Sequence, residues 1–139
     1  MKKFEFLEHT ADAMFRAYGK NIEEQFTNAA LATFSIITTP SKVAPKITRE
    51  IAIEGADIKA LLYNWIEELI YLLDADFFVL HTIKRIFIAH DNKRKKWMLT
   101  ATVVGDMFTK KYETGEHVKA ATYHDMEIQK GHVQMVLDI

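Results

Sequence analysis

The chain has no cysteine, which excludes disulfide bridges and any zinc site built on thiolates. Its 139 residues include only two prolines and five glycines, too few for long flexible linkers. Neither sign of charge dominates. Eighteen Lys and Arg stand against nineteen Asp and Glu, for a net charge of -1. That balance gives no general attraction to nucleic acid or to an anionic membrane. No signal-like apolar run opens the chain, and none reaches the ~20 residues of a spanning helix. Internal repeats and low-complexity tracts are absent, as are the GxxxxGK and GxGxxG phosphate cradles, so no nucleotide site is expected. The expectation is a soluble, cytoplasmic protein.

What is present is apolar material. Hydrophobic residues make up 49% of the chain, nine of them Phe, enough to fill the core of one domain over residues 1–139. Residues 4–8 and 13–18 read as strands. Asn21 is a good helix N-cap, with Glu24 at the capping-box position. Ile22, Phe26, Ala29, Ala30, Phe34 and Ile37 then form one helical face, which ends at Thr38, Thr39 and Pro40. TREIAIE alternates as a strand up to Gly55. Asp57 caps a second helix running to about Leu73, with Leu61, Leu62, Trp65, Leu69 and Leu72 on its apolar side. Further strands are expected from residue 77 to His90, over 97–105, over 119–128 and over 132–139. The pattern predicts a two-layer α+β domain: two long helices on a mostly antiparallel or mixed sheet of about six or seven strands.

Several polar groups carry candidate chemistry. The six histidines form no HExxH motif, so a zinc enzyme would require distant histidines to converge. Their pattern otherwise assigns them to sheet surface and loop hydrogen bonds. Glu116 and His117 read as residues that fix a loop. Lys93, Arg94, Lys95 and Lys96 form a basic run at a hairpin tip, either a solvated turn or a contact for RNA or an acidic partner. Asp12 follows a strand in a turn. Asp138 lies near the end of the sequence, in a strand whose second face, His132, Gln134, Val136 and Asp138, reads as partly exposed. If Asp12 comes near, its carboxylate, that of Asp138 and the α-carboxylate of Ile139 share a small volume. Such a cluster repels unless a cation or a partner neutralises it, and oxygen-only ligands suit a hard cation such as calcium or magnesium.

The sequence resembles the archease family, the small accessory proteins of the RtcB-type tRNA-splicing RNA ligase. The resemblance runs along the whole chain. It rests on His9, Thr10, Ala11 and Asp12 as HTAD, the helix stretch NIEEQFTNAALATF, the segment VKAATYHDMEI, and Asp138 and Ile139. It implies a metal site of Asp12, Asp138 and Ile139, with calcium as the ion. It also implies a non-catalytic activator that promotes guanylylation of the ligase by GTP, supports multiple turnover and broadens its nucleotide use. Contact with RNA would be indirect or weak. Two other classes fit less: a stand-alone metal-dependent hydrolase or nuclease, for which no general base or nucleophile accompanies the acids, and a general chaperone.

Overall fold

The computed structural model describes residues 2–9 and 11–139. Thr10 of the HTAD stretch lies outside the described residues. Strands β1 (Phe4–Leu7) and β2 (Ala13–Tyr18) lead into helix α1 (Ile22–Ile37) and a short 3-10 turn, Pro40–Lys42. Strand β3 (Ile47–Gly55) and helix α2 (Ile58–Asp76) follow. Strands β4 (Phe78–Asp91), β5 (Lys96–Met107), β6 (Ala120–Ala121), β7 (Glu127–Gln129) and β8 (His132–Asp138) complete the chain. The expected α+β architecture is present, with two helices packed on antiparallel strands. Among the described residues the strands number eight and divide into two sheets rather than one. One has the order β1-β2-β8-β6 with β7 also on β8, the other β3-β5-β4. Each helix touches both sheets, α1 through β2 and β4, α2 through β3, β5 and β6.

Local chemistry sets the helix ends. Asn21 Oδ1 accepts from Glu24 N at 2.9 Å, and Asp57 Oδ1 accepts from Ala60 N at 2.8 Å. Glu24 reaches back one residue beyond the cap, taking the Lys20 N–H at 3.0 Å. The predicted face of α1 is buried through Phe26, Ala29, Ala30, Phe34 and Ile37. Helix α2 continues past Leu73 to Asp76, and no glycine stops it. Phe77 takes the left-handed conformation, φ 57°, and its N–H closes on Leu73 O at 2.9 Å. The next strand therefore starts at Phe78.

The expected strand over 119–128 is interrupted. Thr122 gives both its N–H and its hydroxyl to Val136 O, at 3.2 and 2.7 Å, and the chain then turns until Met126 N meets Tyr123 O. Of this stretch, β6 and β7, on either side of the turn, pair with β8. The turn also explains a second difference. Gln134 and Val136, expected on a partly exposed face, are buried. Gln134 Nε2 donates to Asp125 O at 2.9 Å, and its Oε1 accepts from Arg16 Nε at 2.8 Å. A buried amide is stable there because both of its ends are satisfied.

The segment from β5 to β6 is anchored by backbone groups. Gly115 N and Glu116 N donate to Ile37 O and Ile36 O at 2.7 and 2.9 Å. A Cβ on Gly115 would stand 2.2 Å from Ile36 O, so this approach requires glycine. The side chains of Glu116 and His117 are exposed, and Glu116 fixes the loop through its backbone N–H.

Near this segment Tyr112 Oη donates to Asp106 Oδ2 at 2.5 Å and accepts from Ala44 N at 3.1 Å. The Tyr112 hydroxyl foremost, then the Met107 N–H and the Lys111 ammonium, hold the Asp106 carboxyl below its usual value against the opposing effect of burial. A depressed folded-state pKa contributes stability above the unfolded value of about 3.9, and that contribution is lost as the pH falls through the folded one. Tyr112→Phe is therefore expected to lower the melting temperature at neutral pH, with the gap to wild type narrowing in acid. A residual gap remains, because the Ala44 N–H loses its acceptor at every pH. Thermal melts between neutral and strongly acidic pH check this. A gap constant with pH would contradict it.

Candidate functional site

The motif residues gather at one end of the first sheet. Strands β2 and β8 pair antiparallel up to Ala13 opposite Leu137, so the next positions outward on the two strands are Asp12 and Asp138. On the other side of β8, Ala120 stands opposite Asp138, and Lys119 N donates to Asp138 O at 2.8 Å. Asp138 is exposed at the strand end, while Ile139 packs its side chain partly against the core. Alternation explains the facing. Phe15, Ala17, Val133, Met135 and Leu137 point inward and are buried, so Asp12 and Asp138 belong to the opposite parity.

Asp12 is half-buried, and its Oδ2 lies 3.7 Å from His9 Nδ1. Ala11, between them, has φ 67°, and this left-handed residue turns the chain from β1 toward β2. His9 extends in the other direction to Asp125, Nε2 to Oδ2 at 3.9 Å. His124 Nε2 is 3.3 Å from the same oxygen. The two imidazoles meet edge to face with centroids 5.8 Å apart. Among the described residues, the side chains that group at metal-ligand distance are His9, His124 and Asp125.

Sequence reasoning missed this group. His9 and Asp12 are three apart, and His124 and Asp125 are adjacent, but the two pairs are far apart in the chain. Nothing local joins them. The available signal was that both resembling segments, HTAD and TYHD, carry a histidine with an aspartate.

The other candidates lie elsewhere. The basic run forms the β4–β5 hairpin tip, where Asp91 Oδ1 accepts from the backbone N–H of Lys93 and Arg94. Arg94 and Lys96 both reach the Glu54 carboxylate, at 2.7 and 3.0 Å, and hold it below its usual pKa, Lys96 having the larger effect. Lys93 and Lys95 are exposed. Near His117, Asp74 stands at 3.7 Å. No described helix is long and apolar enough to cross a membrane.

A model of the Archease protein family matches residues 4–139. The chain belongs to the archease family. It is 41% identical over 134 residues to the protein archease of Sulfurisphaera tokodaii, covering 93% of this chain and 90% of that one. It is 40% identical over 131 residues to the protein archease of Pyrococcus furiosus, with 94% and 90% covered. The solution structure of Methanobacterium thermoautotrophicum protein 1598 superimposes with a TM-score of 0.80 at 36% identity, over 100% of both chains. Archease membership supports an accessory role in tRNA splicing in general, and the family name fits a helper protein better than an enzyme.

Proposed function

We propose that this protein is a non-catalytic activator of an RtcB-type tRNA-splicing RNA ligase, promoting guanylylation of the ligase by GTP, repeated turnover and wider nucleotide use. The family match over residues 4–139 carries this reading. The chemistry of joining stays in the ligase, in the cytoplasm. Contact with RNA is indirect or weak.

The activating group in this reading is a divalent cation, calcium foremost, on Asp12, Asp138 and the Ile139 carboxylate. An oxygen-only donor set suits a hard ion. Two aspartates at successive outward positions of paired strands would repel without a cation between them. The ion would offset negative charge near the nucleotide or the ligase's own metals. This chain's residues would hold it and present it on an exposed strand end.

The rival reading is a metal-dependent hydrolase or nuclease acting alone. Incubating the pure protein with RNA or GTP tests it. The expected result is no release of product without ligase, and faster guanylylation when ligase is added. Multiple turnover by the protein alone would overturn the proposal.

A further inference from the structure

We propose that His9, His124 and Asp125 bind a divalent transition-metal ion of the zinc class, at a site distinct from the oxygen site of Asp12, Asp138 and Ile139. One ligand atom from each of the three residues lies within 4.8 Å of the others. Ligands held at 2.0–2.2 Å around a tetrahedral zinc stand roughly 3.3 Å apart. His124 Nε2 and Asp125 Oδ2 already have that separation, at 3.3 Å, and His9 Nε2 to Asp125 Oδ2 is 3.9 Å. Small side-chain rotations close the set.

His9 supplies the second observation. Its Nδ1 is shielded from solvent and has no hydrogen-bond partner among the described residues. A buried ring nitrogen left this way costs free energy. Asp12 Oδ2 lies 3.7 Å from it. Metal-bound histidines usually give their second ring N–H to a carboxylate, which fixes the tautomer. A metal on Nε2 would leave the proton on Nδ1, facing Asp12. The arrangement then reads as carboxylate, imidazole, metal.

The turn that carries the other two ligands is held in place. Asp125 sits at φ 51°, a conformation aspartate tolerates. Its carbonyl is tied to Gln134, and Gln134 to Arg16. Two imidazoles select zinc, cobalt or nickel over calcium, which separates this site chemically from its neighbour. Three protein ligands leave a fourth position. The His124 and Asp125 side chains are more than half exposed, so that position opens to solvent or to a bound partner's ligand.

The proposal does not depend on the ligase, and neither does its test. Metal-free protein is titrated with Zn2+ by calorimetry and with Co2+ by visible d–d absorption. One ion per chain is expected, retained in excess Ca2+. His124→Ala removes an exposed ligand and should leave the fold intact, as circular dichroism would show. It is expected to weaken zinc at least as much as the roughly 10–100-fold loss that follows removal of an outer-shell partner. Asp12→Asn should weaken zinc about tenfold through His9, and Asp138→Asn should leave zinc affinity unchanged. Equal zinc affinity in wild type and His124→Ala, or stoichiometric displacement of Co2+ by Ca2+, would overturn the proposal.

Discussion

Asp12→Ala is expected to fold as wild type does and to leave ligase guanylylation at the rate of ligase alone. The residue lies between β1 and β2, outside both helix faces, and its side chain is about one-third exposed. No apolar contact of the buried core passes through it. Substitutions at such positions change stability by roughly 0.5 kcal/mol in either direction. Loss of one charge from a pair of facing aspartates can raise stability in the absence of metal. The effect on function is of another order. Asp12 supplies one of three proposed oxygen ligands, and its Oδ2 also stands 3.7 Å from His9 Nδ1. Wild-type protein with calcium at a hundredfold its dissociation constant should gain about 2.7 kcal/mol. The variant should gain little. Thermal melts with and without calcium, alongside a guanylylation assay, read both effects. Equal calcium stabilisation of the two proteins would remove Asp12 from the ligand set.

Trp65→Ala should be the most damaging single change to stability. The indole is fully buried, and its Nε1–H donates to Phe26 O at 3.0 Å, tying α2 to α1. Truncating a buried Trp costs about 3–5 kcal/mol, the transfer energy plus the cavity. In a chain of this size, where one kcal/mol moves the midpoint by a few degrees, that corresponds to a fall on the order of 10–20 °C. Trp65→Phe should keep much of the packing and lose less. Denaturant unfolding of the three proteins gives the energies. A loss below about 1 kcal/mol for Trp65→Ala would mean that the helices hold together without this side chain.

Local periodicity revealed the elements whose environment is local. Both helices, their caps at Asn21 and Asp57, and the positions of strands β1, β2 and β8 follow from residue spacing, although β8 buries both of its faces rather than one. Pairing was harder to read. The division into two sheets depends on which strands meet across long loops, and no spacing encodes that. The break at Thr122 and the burial of Gln134 arise from side-chain bonds to strand β8 and the turn it carries. Phe77 ends α2 in a left-handed conformation without the glycine that would have marked it. At the site, Asp12 and Asp138 could be singled out by the resemblance and by the alternation of the last strand. The group of His9, His124 and Asp125 could not, because only the packed turn brings its two halves together.

In the proposed function this protein acts on the ligase and performs no RNA chemistry itself. That reading is tested most directly by counting RNA joining events per ligase molecule, with GTP, calcium and the ligase's own metal, as the protein is titrated from none to excess. Ligase alone is expected to stall after few rounds, wild-type protein to raise the rounds per ligase and the rate of guanylylation, and the protein without ligase to join nothing. Rounds per ligase that stay the same at every protein concentration, or RNA joined without ligase, would contradict that reading.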